Sequence, residues 1–327
     1  MLRRSQVVKI FSSVLVLALG LNFVGCKKDD AEDILTPDGQ NAQDQIYTEN
    51  LDPAKPLLVV YGDSLSTGVL ANTTLGENPD NSLALQLVDY LKEQEYNATG
   101  FQSNLSNVDL AASSTKEPYG LRATIGAQTG VSAAEVGIIS FAKFGAKARD
   151  LPAMFNRWTV ENTNTIQKKP DDIFIMLGGN DFCSDMTVDE ILSVYNEQTN
   201  AIYNDSPSSR IIIAPSPPID QLPAINFTYG PALQGVTGEE LSCKKFRDNL
   251  CKRVNGDPAE VKARIAAINT GIQAQSEALK AKGAKVVFVD GILTWQLKPE
   301  EFAVDCFHPS ALGQQTIGNL VKDALNR

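Results

Sequence analysis

The sequence is poor in histidine, since His308 is the only one among 327 residues. A single imidazole excludes the helical HExxH zinc motif and any metal site that needs several histidines. No GK[ST] phosphate loop occurs, and no convincing GxGxxG follows a strand-like segment. Nucleotide chemistry is therefore not expected. The GxSxG turn that carries the nucleophile in one large class of serine enzymes is missing as well.

Positive charge is also scarce. The chain has 29 Lys and Arg against 39 Asp and Glu, which gives a formal net charge of −10 at pH 7. Without a basic patch it is a poor candidate for binding a phosphate backbone, so we expect no nucleic-acid partner. Hydrophobic residues make up 43% of the chain, which is typical of a globular protein with a sizeable core.

Residues 1–25 predict a lipoprotein signal peptide. A basic start precedes an apolar run at 14–21, which is shorter than the roughly 20 residues of a membrane span. Phe-Val-Gly-Cys26 follows the run and resembles a bacterial lipobox, whose cysteine receives lipid after cleavage; an ordinary signal peptide cut elsewhere is the alternative. Residues 26–56 are polar and predict a flexible tether. We therefore expect an exported protein of the bacterial cell envelope, either lipid-anchored to a membrane or secreted.

Short apolar runs separated by helical patterns predict the fold. The expected strands are Leu57–Tyr61, Ile138–Ala142, Ile173–Leu177, Arg210–Ala214 and Val286–Val289. Capping residues predict helices after Ser82, Thr187, Asp257 and Ser310. Alternating strands and helices favour an α/β class, a three-layer α/β/α sandwich around a mainly parallel five-stranded sheet. This domain would cover 57–327, with insertions at about 66–137 and 215–256.

Polar residues follow several of these strands, at the sheet edge where parallel sheets bind ligands. Gly-Asp-Ser64-Leu-Ser comes after the first strand, and Lys-Phe-Gly145-Ala after the second. Gly-Gly-Asn180-Asp follows the third, and Asp305-Cys-Phe-His308 lies past the fifth. A serine, an imidazole, a carboxylate and fixed hydrogen-bond donors are the parts of an acyl-transfer site.

These blocks resemble the GDSL/SGNH hydrolase superfamily, whose fold is flavodoxin-like. Gly-Asp-Ser-Leu-Ser at 62–66 is similar to its first block, Gly-Gly-Asn-Asp at 178–181 to its third, and Asp-Cys-Phe-His at 305–308 to its fifth. The second block, at 142–146, departs most from the family pattern. Within the superfamily, Asn-Asp-Phe-Cys and Asp-Cys-Phe-His-Pro-Ser look most like the phospholipase B-like branch.

The resemblance implies a catalytic triad. Ser64 would be the nucleophile that attacks an ester carbonyl. His308 would take the proton of Ser64 and return it to the leaving alcohol. Asp305, three residues earlier, would orient the imidazole. No metal and no cofactor are implied.

The resemblance also implies an oxyanion hole. Its donors would be the backbone N–H groups of Ser64 and Gly145 and the side-chain amide of Asn180. Gly130, in Thr-Gly-Val, is an alternative to Gly145. Gly145 is preferred because it follows a credible strand and precedes a helix.

Four cysteines remain besides Cys26, which is an even number for an oxidising compartment. They allow three pairings, and four free thiols are the alternative. We favour Cys243–Cys251 as a short staple. If the third and fifth blocks converge, Cys183 and Cys306 lie near each other, and we expect that bond as well.

The expected function is that of an exported serine esterase or lipase. It would hydrolyse carboxylic esters of lipids or phospholipids through an acyl-enzyme and contact a membrane through its N-terminal lipid anchor. One alternative is a carbohydrate O-acetylesterase with the same triad, and another is a non-catalytic surface binding protein on the hydrolase scaffold. The candidates for lining an acyl pocket are aromatic residues that are otherwise expected in the core: Phe182, Phe227, Tyr229 and Trp295.

Overall fold

The computed structural model of the protein describes residues 56–67, 137–142, 145–163, 167–226, 242–303 and 305–327. The expected signal peptide with Cys26, nearly all of the expected tether and the helix expected after Ser82 lie outside these ranges. Most of the insertion at 66–137 and residues 227–241 of the second insertion lie outside them too. Among the helices within these ranges, none is both long and apolar enough to cross a bilayer.

In the described part of the chain, five parallel strands form one sheet in the order β2-β1-β3-β4-β5. They are β1 Leu57–Gly62, β2 Gly137–Ser140, β3 Asp172–Met176, β4 Arg210–Ala214 and β5 Lys285–Phe288. Strand β1 lies between β2 and β3, so that Val59 lies opposite Ile139 of β2 and Ile173 of β3. The predicted five-stranded parallel sheet is confirmed, with β4 as expected and the ends of the other strands shifted by at most two residues.

Both faces of the sheet are buried, because alternate residues of a strand point to opposite sides. On β1, Leu57, Val59 and Tyr61 belong to one hydrophobic cluster. Leu58 and Val60 belong to the other. Strands that are apolar on both faces are typical of parallel sheets covered by helices on both sides.

The helices of the described ranges are α1 Ser64–Thr67, α2 Leu151–Glu161, α3 Gly179–Phe182, α4 Val188–Asp205, α5 Cys243–Cys251, α6 Pro258–Ala281 and α7 Ala311–Leu325. Short 3-10 segments occur at Ala148–Asp150, Ile219–Ala224, Lys252–Asn255, Asp290–Thr294 and Pro299–Glu301. Trp158 of α2, Tyr195 of α4 and Ile268 of α6 pack on one face of the sheet. Ile317 and Val321 of α7 pack on the other. The result is the expected three-layer α/β/α arrangement.

Three predicted helix starts are confirmed by their capping bonds. The Thr187 hydroxyl accepts from the N–H of Glu190, whose carboxylate accepts from the N–H of Thr187. Asp257 accepts from two backbone N–H groups of the first turn of α6. The Ser310 hydroxyl accepts from one N–H, that of Gly313 in the first turn of α7. Each cap satisfies N–H groups that a helix leaves without partners at its start.

Candidate active site

The turn that carries Ser64 lies directly after β1, at the edge where the carboxyl ends of the parallel strands meet. Ser64 opens the short helix α1, and the N–H of Ser66 donates to the backbone oxygen of Asp63 at 3.1 Å. A Cβ at Gly62 would lie 2.2 Å from the Ser66 hydroxyl oxygen. Only glycine therefore fits at the position that lets the turn fold back on the strand.

Two side chains hold this turn from either side. The Asp63 carboxylate accepts from the N–H of Leu65 at 2.9 Å. From α7, the buried Gln314 amide donates to the carbonyl of Leu65 at 2.8 Å. The strand, its first turn and the opposite helix layer thus fix the backbone around Ser64.

A second loop, residues 302–309, carries the imidazole and is called here the base loop. Its two ends are joined where the N–H of Ala303 donates to the carbonyl of His308 at 2.7 Å. One oxygen of Asp305 accepts from the N–H groups of Phe307 and His308, at 3.0 and 2.9 Å. This leaves the second oxygen of Asp305 facing the imidazole.

Ser64, His308 and Asp305 form one hydrogen-bonded row. The Nε2 atom of His308 lies 2.9 Å from the Ser64 Oγ, and Nδ1 lies 2.5 Å from the Asp305 Oδ2. All three residues are buried, with exposed fractions of 3%, 2% and 7% for Ser64, His308 and Asp305. In this row, an imidazole with its proton on Nδ1 donates to the Asp305 carboxylate and accepts the serine hydroxyl at Nε2.

Asn180 lies in the short helix α3, directly after β3, and reaches the first and second blocks. Gly178, with φ +122°, turns the chain out of the strand in a conformation that side chains rarely adopt. The Asn180 amide donates to the carbonyl of Ala146 at 3.1 Å and to the Asp63 carboxylate at 3.3 Å. Gly145, next to Ala146, has φ +72°, a region that favours glycine.

The predicted oxyanion donors thus converge on one region, but Asn180 is already engaged. Both hydrogens of its amide have protein acceptors, so donation to an oxyanion requires one of these bonds to yield. The bond to Asp63 is the longer and therefore the weaker of the two. The alternative donor Gly130 lies outside the described residues.

Two buried carboxylates connect the blocks. Both oxygens of Asp181 accept from the N–H of Ala148 at 2.9 Å, which joins the second block to the third. Burial is the main reason why the pKa of Asp181 rises to about 6. Burial likewise raises the pKa of Asp63 to about 7, with a smaller contribution from Asp181. Within the described ranges, no three His, Cys, Asp or Glu side chains are grouped to hold a metal ion.

An apolar pocket opens beside Ser64 and Asn180. Its walls are mostly aliphatic and aromatic: Ile219, Leu222, Trp295, Leu297, Phe302 and Phe307. The indole N–H of Trp295 donates to buried Glu301 at 3.1 Å, and its ring stacks on Phe302 with centroids 6.5 Å apart. These bonds give the indole a defined position in the pocket wall.

Sequence reasoning identified only part of this wall. Of its aromatic candidates, Trp295 lines the pocket, whereas Phe182 lies in the core under the sheet. Phe227 and Tyr229 lie outside the described residues. Phe302 and Phe307 were missed, although both flank Asp305 and His308 in the sequence, a proximity that could have indicated them.

The predicted disulfide pairing is wrong. The bonds are Cys183–Cys251 and Cys243–Cys306, each with a Cα–Cα distance of 5.2 Å, and not Cys183–Cys306 and Cys243–Cys251. Cys243 and Cys251 are the first and last residues of α5, so they stand about 12 Å apart along its axis at 1.5 Å per residue. A disulfide requires Cα atoms within about 7 Å, so these two cysteines cannot pair.

The family model described as GDSL-like Lipase/Acylhydrolase matches residues 58–321 of this chain. No curated protein matches the chain in sequence.

Several solved structures are similar at low sequence identity. The lipase/acylhydrolase from Enterococcus faecalis is 18% identical, with TM-score 0.40 over 83% of this chain and 95% of that one. The extracellular lipase from Streptomyces rimosus is 15% identical, with TM-score 0.43 over 83% and 98%. A carbohydrate esterase family 2 enzyme with a carbohydrate binding domain, from Corynascus thermopiles, is 14% identical, with TM-score 0.49 over 85% and 68%.

Proposed function

The chain belongs to the GDSL-like lipase/acylhydrolase family and is a serine ester hydrolase, and we propose on this premise that it cleaves lipid esters through an acyl-enzyme on Ser64. The observation that carries the proposal is the 2.9 Å contact between Ser64 Oγ and His308 Nε2 beside an apolar pocket. A phospholipase B-like preference is the finer form of the same proposal, supported by the sequence around Asn180 and His308.

Acylation begins when Ser64 Oγ attacks the ester carbonyl carbon and its proton passes to His308 Nε2. The new positive charge on the imidazole is stabilised by Asp305, which remains ionised. The negative carbonyl oxygen accepts from the N–H of Ser64, the N–H of Gly145 and the Asn180 amide. Each such donor is typically worth about 3–4 kcal/mol in the transition state.

Collapse of this intermediate breaks the ester C–O bond, and His308 gives its proton to the departing alcohol. A water molecule then attacks the acyl carbon, with His308 again as the base, and releases the fatty acid from Ser64. Water is the only co-substrate that the reaction consumes.

The pocket wall supports a lipid acyl group over an acetyl group. An acetyl group offers one methyl to be buried, whereas each further CH₂ of an acyl chain gains about 0.8 kcal/mol on leaving water. Such a chain can be buried against the apolar wall of the pocket. The wall is formed by Ile219 and Leu222 and by the aromatic rings of Trp295, Phe302 and Phe307. A polar saccharide would leave these surfaces without a matching partner.

The experiment is a series of chromogenic esters of one alcohol with acyl chains from two to twelve carbons. We expect kcat/KM to rise beyond the acetyl ester, and the Ser64→Ala variant to lose about 10⁴-fold or more at every chain length while keeping its fold. Preference for acetyl with a steep decline beyond four carbons would contradict the lipid proposal. Retained activity in Ser64→Ala would contradict the acyl-enzyme itself.

We also propose that the protein is exported and anchored by lipid on Cys26. The signal-like residues 1–25 support this, and so do the two disulfides, because such bonds persist in oxidising compartments. A lipid anchor followed by a polar segment would hold the hydrolase domain near the membrane and leave the domain free to rotate.

A further inference from the structure

Helix α5 is bonded at both ends to loops of the active site. Its first residue, Cys243, is joined to Cys306, which lies between Asp305 and His308. Its last residue, Cys251, is joined to Cys183, three residues after Asn180. A nine-residue helix thus connects the base loop to the loop that carries Asn180, residues 178–186, called here the oxyanion loop.

The inward face of α5 is unusual for a docked helix. Its buried side chains are Cys243, Arg247 and Cys251, spaced four residues apart on one face, and none of them is aliphatic. Arg247 donates to the carbonyl of Ile225 at 2.7 Å and to the Asn255 side chain at 3.2 Å. Disulfides and polar bonds therefore hold this helix where an ordinary amphipathic helix would bury leucine or isoleucine.

The disulfide to the base loop joins α5 to the turn between Asp305 and His308, where the N–H of Cys306 also donates to the carbonyl of Ala303 at 2.9 Å. The ends of the loop are fixed by the bond between Ala303 and His308 and by the isolated bridge between Phe302 and Pro309. Cys306 lies at the far end of the turn, is fully buried, and has φ +57°. A bond at this point constrains the turn that orients the Asp305 carboxylate toward His308.

The disulfide to the oxyanion loop acts at a comparable place. Cys183 is the first residue after α3, the short helix that presents Asn180. From the other side, Arg264 of α6 donates to four carbonyls of this loop. The loop therefore keeps its general shape without the disulfide, and what the disulfide adds is its position relative to α5.

We propose that α5 and its two disulfides form a covalent splint that sets the position of His308 relative to Asn180. Cys183, Cys243, Cys251 and Cys306 are positioning residues in this view. None of them lines the pocket beside Ser64, and they act through the loops that carry the base and an oxyanion donor. The proposal rests on the function proposed above for those two residues.

A splint of this kind has two bonds in series, and opening either one breaks the same connection. Displacement of a reacting group by about 1 Å can cost about 100-fold in rate. Two independent staples behave differently, since their effects on activation free energy add. Effects on activation free energy that do not add therefore distinguish a splint from two local stabilising bonds.

The test compares Cys243→Ser/Cys306→Ser, Cys183→Ser/Cys251→Ser and the variant with all four changes. We expect kcat for a chromogenic ester to fall about 10–100-fold in either pair, with KM changed less than about threefold. The kcat of the quadruple variant should be no lower than that of the less active pair variant. Two results would overturn the proposal. One is an equal kcat in wild type and both pair variants. The other is a loss of kcat in the quadruple variant that equals the product of the losses in the two pair variants.

A matched control separates positioning from general destabilisation. Ile202 is buried in the last turn of α4, just before β4 begins, and so lies at the opposite edge of the sheet from the active site. Ile202→Val should lower the unfolding temperature and leave kcat unchanged. If Ile202→Val lowers kcat as much as the cysteine pairs at a similar loss of stability, the splint is wrong.

Hydrogen exchange gives a readout that needs no activity. Opening Cys183–Cys251 should speed amide exchange at residues 305–308, a segment that contains neither of these cysteines, as much as opening Cys243–Cys306 does. Exchange that rises only in the loop whose own cysteine is removed contradicts the splint. Should wild type hydrolyse no ester, the proposed function fails, and exchange still decides the splint.

The same comparison is possible without substitutions if a serine variant does not fold. Limited reduction of the folded wild-type protein, followed by alkylation, gives species with one or both disulfides open, which mass spectrometry identifies. Equal loss of kcat in singly and doubly opened species supports the splint. Full activity in either singly opened species refutes it.

Discussion

At the scale of single residues, Asp63 carries the most unusual electrostatics of the site. Its carboxylate is buried, accepts from the Leu65 N–H and the Asn180 amide, and has a pKa raised to about 7, mainly by burial. At neutral pH it is therefore divided between a neutral and an ionised form. The ionised form is the better acceptor for the Asn180 amide, so this titration bears on the oxyanion donor as well as on stability.

The pKa of Asp63 predicts a decline of stability with pH. The unfolded carboxyl loses its proton near its ordinary value of 3.8, whereas the folded one keeps it to about 7. Between these values the folded state binds more protons, so the unfolding free energy falls as pH rises. Urea unfolding at pH 4.5, 5.5 and 6.5 should show a difference between wild type and Asp63→Asn that changes by up to about 1.4 kcal/mol per pH unit.

Asp181 provides the comparison for this measurement. Its pKa is raised to about 6. The difference in unfolding free energy between wild type and Asp181→Asn should therefore change with pH in the same direction as for Asp63→Asn, but stop changing about one pH unit lower. Parallel curves for wild type and both variants would show that neither carboxyl retains its proton in the folded state.

At the scale of elements, Arg264 joins the longest helix, α6, to the oxyanion loop. Its guanidinium donates to the carbonyls of Asp181, Phe182, Ser184 and Met186 at 2.6–3.2 Å. Lysine would keep the charge but lacks the planar set of donors that reaches several acceptors at once. One side chain therefore donates to four of the nine backbone carbonyls of residues 178–186.

We expect Arg264→Lys to lower the unfolding free energy by about 1–3 kcal/mol, because carbonyls that lose a charged donor are left partly unsatisfied. Loosening of the loop around Asn180 should also lower kcat several-fold. The measurements are urea unfolding and ester hydrolysis.

Arg253 is the matched control for this change. It contacts the same Ser184 carbonyl at 3.2 Å, but in an exposed position. Arg253→Lys should stay within about 0.5 kcal/mol of wild type, as is usual for surface substitutions. Equal effects of the two changes would mean that the bonds of Arg264 do not determine the shape of the loop.

Helix α5 shows where prediction from sequence stops at the level of elements. Strands and capped helices were predicted from local signals, such as the Thr187–Glu190 and Asp257-Pro258 pairs, because period and capping act within a few residues. The disulfide pairing failed, because Cys243 and Cys251 look like neighbours along the chain. A helix between them separates them and directs each toward a different loop.

At the scale of the whole molecule, the proposed lipid anchor makes a prediction about location. A diacylated cysteine inserts enough hydrocarbon for stable membrane attachment, whereas an unmodified chain does not. Cys26→Ser expressed in a lipoprotein-processing bacterium should therefore leave the membrane fraction and lack the lipid mass on its N-terminal peptide. Ser64→Ala, which leaves Cys26 intact, should stay with the membrane fraction.

The sequence by itself determined five strands along the chain, three capped helices between and after them, the parallel sheet, the family and the residues at the strand ends. All of these depend on local periodicity, capping and short motifs. Tertiary structure alone decided which residues meet. Both amide hydrogens of Asn180 are donated to protein acceptors, and Phe302 and Phe307 join Trp295 in one pocket wall. Two disulfides join the ends of α5 to two different loops. The physical reason is that contacts between distant segments depend on how layers pack and where helices lie, and no local stretch of the chain contains that information.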